Sequence, residues 1–458
     1  MNSPASTDFS LSAARDRIDE ILSAGIKDGK IIGVAVGMVH GGDAITATAG
    51  VRQYLHNDPG VEMPAVESDT IFQIGSVTKI FTTALFGQRV AAGDYSSARQ
   101  LSSFVNGALP GIAMNADLGK ATLENLATFT SGINTIPSPG QMGGYTRPTI
   151  AEWGVADFQT WFCQQAPTWQ YHYSNCSVGM LGLLMGSDDP VNLPLSPSDA
   201  VNDWLAAISG LIMEPLGMQD TFVSGISTIT SDQQSRLAGG YQQALASATC
   251  LDGAINAVNL INGGAAYSSA PSVTVAAVDG GSGGSVSAAV DNGVVSGLTL
   301  VSGGSGYTEP PDLLIAPGDA ASNNVPVWAA AGALSSTVED MNRLIATCLT
   351  AYENPDNPAG SVAAGVNIAM QSCGTIKGDL DYGYAWEIEP GPGSAGKVIF
   401  KLGGVPGFSS YLGIVPGQDL GLVVMCNSRQ PDPVTRPANN VARAILTALF
   451  AHSDQNAG

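Results

Sequence analysis

The chain has 458 residues, of which 44% are hydrophobic and 12% charged, the balance of a protein with a substantial core and not of a disordered one. Its 39 Asp and Glu against 18 Lys and Arg give a net charge of −21, which repels phosphate backbones and excludes nucleic acid as an expected partner. No apolar run reaches the ~18 residues of a membrane-spanning helix. The six cysteines form no C-x-x-C pair and the four histidines no H-E-x-x-H, so neither a metal nor a cofactor is expected. Most of the cysteines read as small buried apolar residues. The N-terminus lacks a basic start followed by an apolar stretch, so no signal peptide is expected in the chain as given. That fits a cytoplasmic protein or the mature form of an exported one.

Taken in order, residues 12–29 place Ala14, Ile18, Leu22 and Ile26 four apart, the period of an amphipathic helix. The β-branched run 31–40, the Gly41-Gly42-Asp43 turn and the alternating run 44–51 read as a hairpin. From about residue 76 to 245 the apolar period is mostly helical, broken by Gly/Pro-rich loops at 131–144 and 187–199. Residues 335–349 read as a helix capped by Ser335 or Ser336. Strands are expected at 384–390, 397–402 and within 410–427, and a closing helix at 439–450. The fold class is α+β: an antiparallel sheet built from both termini and flanked by helices, beside a mainly helical region.

Residues 251–275 repeat as 291–315, matching Gly253 with Gly293, Gly263-Gly264 with Gly303-Gly304, Tyr267 with Tyr307, and Pro271 with Pro311. Alternating apolar residues that end in paired glycines predict short strands and tight turns. The expected division is a discontinuous body, 1–249 and 324–458, around a small all-β insertion at 250–323. No Lys or Arg occurs between Leu237 and Asn342, so the insertion presents a neutral-to-acidic face. The repeat resembles GGSGY-type β appendages of phage and surface proteins.

Candidate chemistry begins at Ser76-Val77-Thr78-Lys79, an S-x-x-K pattern between a strand-like run and a helix. Three residues of separation put Ser76 and Lys79 on one helix face, and a helix start favours negative charge developing on an attacked carbonyl oxygen. Lysine works as a base only when neutral, which requires desolvation or a nearby cation. Such a spacing is common by chance and gains weight from Tyr173-Ser174-Asn175 and Lys401-Leu402-Gly403. A phenol serves as acid or base, an amide orients a substrate amide, and a lysine on a strand ending in glycines approaches a pocket closely.

With these three motifs the chain resembles class C β-lactamases and the β-lactamase-like serine hydrolases, which include penicillin-binding proteins, family VIII carboxylesterases and D-amino-acid peptidases. The likeness extends through 30–42, 123–133, 212–223, 334–345 and 403–416. It implies that Ser76 forms an acyl-enzyme while Lys79 and Tyr173 shuttle its proton. It further implies that Asn175 holds the substrate amide, that Lys401 supports Tyr173, and that the backbone beside Gly403 and Gly404 contributes, through the Gly404 N–H, to an oxyanion hole with Ser76. The implied substrate is a small ester, lactam or amide, needing no cofactor, and the oligomeric state stays open.

Two departures bear on substrate. Leu402 has no hydroxyl where the family usually carries a threonine that reads a carboxylate, and Asp432 stands where asparagine is common. A carboxylate there opposes an anionic substrate unless Arg429 or Arg436 offsets it. The functional expectation is therefore a serine acyl-enzyme hydrolase of β-lactam-like or ester substrates. Alternatives are a D-amino-acid peptidase, amidase or transacylase and, in another class, an acylated sensor without turnover or a surface-binding protein. His172 reads as a partly buried structural histidine, the Gly280–Gly284 match to G-x-S-x-G as a turn, and Trp153, Trp161 and Trp169 as core or pocket lining.

Overall fold

In the computed structural model, residues 10–27, 31–54, 62–104, 114–135, 137, 153–186, 197–223, 226–242, 244–276, 280–319, 329–354, 356–429 and 436–451 are described. The four-residue period at the start becomes helix α1, Leu11–Lys27, which buries Ala14, Ile18 and Leu22. The following run becomes β1, Gly33–His40, paired antiparallel with β2, Asp43–Gly50, so that Val36 faces Ala47. Five further helices matter to the site: α2 Thr78–Ala92, α3 Asn175–Gly186, α4 Val338–Glu353, α5 Val362–Met370 and α6 Pro437–Phe450.

The late part of the chain supplies β3 Gly374–Lys377, β4 Leu380–Tyr382, β5 Glu387–Pro390, β6 Lys397–Val405, β7 Phe408–Val415 and β8 Leu420–Cys426. The eight strands form one antiparallel sheet in the order β3-β4-β5-β6-β7-β8-β1-β2. β1 lies between β2 and β8, with Val36 opposite Val424, which joins the two ends of the chain. Strand alternation then divides the core. Val34, Val36 and Met38 pack with α1 and α6, whereas Ala35 and Val39 face the larger cluster containing α2 and α4. Among the described residues no helix is long and apolar enough to cross a membrane.

Several boundaries differ from the sequence reading. Thr337, and neither Ser335 nor Ser336, caps α4: its side chain accepts from the Asp340 N–H, while the two serines lie in the short strand Leu334–Ser336. Helix α5 and the hairpin β3-β4 were not expected: 362–370 has no long period, and the strands joined by the Gly378-Asp379 turn are too short to show a clear alternation. Of the six cysteines, Cys163, Cys176, Cys348 and Cys426 are buried, but Cys250 is half-buried and Cys373 exposed.

The repeats form two interlocked hairpins, Leu245–Leu251 with Ala254–Asn262 and Ser282–Asp291 with Val294–Ser305. The strand Leu245–Leu251, most of it on the body side of a division at 250, belongs by pairing to the first hairpin. Each repeat holds the other: the Tyr267 N–H donates to the Gly293 carbonyl, and the Tyr307 N–H to the Gly253 carbonyl, both at 3.0 Å. Thr274 opposes Leu314, its own repeat equivalent, so an approximate twofold axis passes between them. The tyrosine hydroxyls accept from equivalent donors as well, Tyr267 from the Ala244 N–H at 2.8 Å and Tyr307 from the Gly284 N–H at 3.2 Å. At the base, Gln242 pairs with Gly318 and Asp319 with Tyr241.

Candidate active site

Ser76 sits in a single 3-10 turn, Gly75–Val77, that leads directly into α2. The α2 residues Thr78–Gln88 are buried, Lys79 among them. Two close approaches fix the turn and its helix. Gly75 has φ +50 and lies against the end of β6, where a β-carbon would come 2.6 Å from the Gly404 nitrogen. Gly87 crosses Gly365 of α5 so tightly that the α2 backbone reaches the α5 backbone.

Tyr173 and Asn175 are set by the start of α3. The fully buried Ser174 between them accepts from the Ser177 N–H and donates to the Asn134 carbonyl, each at 3.0 Å, which pins both neighbours. Phe129, held at φ +63, packs its ring 5.0 Å from that of Tyr173. Lys401 points inward from β6 and is 1% exposed.

These side chains meet on one oxygen. Lys79 Nζ donates to Ser76 Oγ at 3.1 Å, to Asn175 Oδ1 at 2.7 Å and to the Ala331 carbonyl at 2.6 Å. Tyr173 OH donates to the same Ser76 Oγ at 2.6 Å. Lys79 Nζ lies 5.0 Å from the Tyr173 ring centroid and Lys401 Nζ 4.9 Å. Ser76, Asn175 and Gly404 line an open pocket of about 240 Å³ together with Ala331, Val405 and Arg429.

The electrostatics follow from burial and from the paired cations. Burial pushes Lys79 below the usual lysine range; the Tyr173 charge opposes this and Lys401 adds to it. Burial alone pushes Tyr173 up, yet the Lys79 and Lys401 charges outweigh it and leave the phenol below its ordinary value. Lys79 and Tyr173 therefore form a coupled pair that is easily brought to one proton fewer.

Ser76, Lys79, Tyr173 and Asn175 are in direct contact, Lys401 stands over Tyr173, and Gly403 and Gly404 bring β6 against the Ile74–Gly75 backbone. Two neighbours were missed. Glu387 on β5 pairs with Lys401 at 3.1 Å, and the Ala331 carbonyl takes one Lys79 hydrogen. Register gives Glu387 away only once β5 is aligned with β6, and a backbone acceptor leaves no sequence signal.

Other expectations fall elsewhere. Leu402 faces away from the pocket and packs against the cluster of α1 and α6. His172 is exposed and not partly buried, because the loop before α3 turns its side chain outward. Trp153 and Trp161 are core residues, and Trp169 is 47% exposed; none lines the Ser76 pocket. Gly280–Gly284 is a turn entering a strand, not a strand-to-helix elbow. Asp432 lies outside the described residues. Among the described residues no group of three His, Cys, Asp or Glu side chains is placed to hold a metal ion.

A family model described as beta-lactamase matches residues 18–447. A β-lactamase of Escherichia coli strain K12 is 22% identical over 463 residues, covering 95% of this chain and 93% of its own. Among solved structures, a β-lactamase from Sulfitobacter sp. EE-36 matches with a TM-score of 0.63 at 21% identity, over 96% of this chain and 99% of that one. A class C β-lactamase from Rhodobacter sphaeroides matches with a TM-score of 0.60 at 19% identity, over 95% and 98% respectively. At such identities the structural likenesses show the fold.

Proposed function

Because this chain belongs to the β-lactamase family, we propose that it is a serine hydrolase in which Ser76 Oγ attacks an ester or lactam carbonyl and carries the acyl group as an intermediate. The observation that carries this reading is the convergence of Lys79 Nζ and Tyr173 OH on Ser76 Oγ. All three Lys79 hydrogens have acceptors, an arrangement suited to an ammonium, so Tyr173 as phenolate is the base for the serine proton. The phenol then returns that proton to the leaving group and later draws one from the water that releases the acyl group. Lys401 keeps the phenolate accessible in a buried site. The Ser76 and Gly404 N–H groups take the oxyanion, in keeping with the close approach of Gly404 to the nucleophile turn.

The division of substrates between lactam and ester is read from rates on a chromogenic cephalosporin and a short-chain p-nitrophenyl ester. We expect turnover of at least one of them, lost by about 10³-fold or more in Ser76→Ala. Equal turnover by the variant removes Ser76 from the mechanism. Acylation that is stoichiometric and not followed by release would support a penicillin-binding sensor instead. D-amino-acid peptides and acyl acceptors test the peptidase and transacylase readings.

A further inference from the structure

A further concavity lies where the insertion meets the body. At about 280 Å³ it exceeds the 240 Å³ pocket on Ser76, and the two share no lining residue. One wall is the chain entering β1 and leaving β2, with Ile31, Ile32, Val51, Tyr54 and Met63. The other is the paired segments 273–275 and 313–315 and the two residues after them, with Thr274, Leu314, Ala316 and Pro317.

Strand alternation turns an apolar side chain of the insertion toward the body. Val273, Val275, Leu313 and Ile315 pack inside the insertion, so Thr274 and Leu314, which oppose each other across the pair, point out of it. Among the described residues, Ile32, Val51, Met63 and Leu314 pack into none of the hydrophobic clusters of body or insertion. Both cores therefore end at this cleft and leave apolar side chains facing across it. No lining residue carries a charge at neutral pH. Ser272 and Thr274 are exposed, and their hydroxyls have no protein partner among the described residues. An apolar cavity of roughly 150 Å³ takes benzene, so this one takes two fused rings or a chain of about eight to ten carbons. An anionic head finds no cation in the lining, and the net charge of −21 repels it further.

We propose that this cleft is a binding site for a neutral amphiphile, separate from the Ser76 pocket. An alkyl or aryl body lies between the two apolar walls, and one hydroxyl, ester or amide group meets the hydroxyls of Ser272 and Thr274. The site does not depend on the chemistry assigned to Ser76.

The test measures equilibrium binding of the neutral fluorophore N-phenyl-1-naphthylamine to the full chain. We expect one site per chain with a Kd of about 1–50 μM, from which 1-octanol displaces the probe about tenfold better than octanoate does. Thr274→Phe and Ala316→Phe narrow the cleft from the insertion wall, and each should weaken binding by about tenfold or more. The control is the double variant Ile261→Ser, Val301→Ser. These repeat equivalents are 66% and 64% exposed and lie outside the cleft, so the variant should bind within about twofold of wild type. Absence of saturable binding, unchanged affinity in either filled variant, or loss of binding in the control overturns the proposal. Octanoate competing as well as octanol overturns the neutral class. In the unaltered chain, photolabelling with a diazirine analogue of octanol reads the same site. Label on the peptides that carry Met63 or Leu314 supports the cleft, and label confined to other peptides overturns it.

Discussion

Two tyrosines, one in the body and one in the insertion, stand in opposite environments. Tyr267, in the first repeat, has no cation near it among the described residues, and burial pushes its phenol up to about 12. Tyr173 is half-buried, and Lys79 and Lys401 hold its phenol below the ordinary value. The same side chain is a neutral hydrogen-bond acceptor and strut in one place and a proton carrier in the other. Desolvated charge makes the difference: the body buries two ammonium groups beside its tyrosine, and the insertion lies in a stretch with no Lys or Arg from Leu237 to Asn342.

The comparison breaks most visibly at Lys79. Lys79→Met should lower kcat/KM by about 10³–10⁴-fold, because the serine loses its partner and Tyr173 one of its two cations. The melting temperature should stay within a few degrees, since relief of a buried charge offsets the lost hydrogen bonds. A rate loss below tenfold in a folded variant would contradict the assignment.

Lys401 gives the next effect, in pH. The base form of Tyr173 is lost as pH falls through its lowered pKa, which sets the acid limb of kcat/KM. Lys401→Met removes a charge that lowers that pKa, so the limb should move to higher pH, with about tenfold slower turnover per unit of displacement on the acid side. Glu387→Gln removes the negative charge paired with Lys401 and should move the limb the other way, by less. Limbs that stay in place in both variants would separate Lys401 from Tyr173.

Excision of the insertion should matter less. Gln242 and Gly318 are paired neighbours, so a short Gly linker joins the body across the cut without strain. A division into body and insertion predicts a folded product that hydrolyses a short ester within about threefold of wild type, the scale of a change remote from the reacting atoms. An insoluble product would show that the repeats are part of the body's fold. Altered rates confined to longer acyl chains would give the insertion a part in substrate access.

Smallest of all are Tyr267→Phe and Tyr307→Phe. Each deletes one hydroxyl acceptor for a backbone N–H, at about 1 kcal/mol. Hydrogen exchange should quicken at Ala244 and Gly284 respectively, with no change in ester hydrolysis. A rate change from either variant would link the repeats to the site.

Much of this was legible from residues alone, for identifiable reasons. Ser76 and Lys79 are close in sequence, so helical spacing places them together, and the hairpin and terminal helix follow from period and turn residues. Tyr173, Asn175 and Lys401 took their meaning from short motifs around them. The rest depends on long-range register. Glu387 reaches Lys401 only because β5 pairs with β6, and Ala331 offers a carbonyl whatever its side chain. Arg429 was visible only as a charge that offsets Asp432, because its place on the pocket wall is a property of the packed chain. The cap of α4 was ambiguous for a local reason: Ser335, Ser336 and Thr337 all carry a hydroxyl, and strand pairing takes the first two.

Ser76 is the single nucleophile of the proposed mechanism. Intact-protein and peptide mass spectrometry after exposure to a fluorophosphonate test that directly. One adduct on the peptide containing Ser76, absent from Ser76→Ala and strongly slowed in Lys79→Met, is the predicted result. An adduct on another residue, or one that persists in Ser76→Ala, would contradict it.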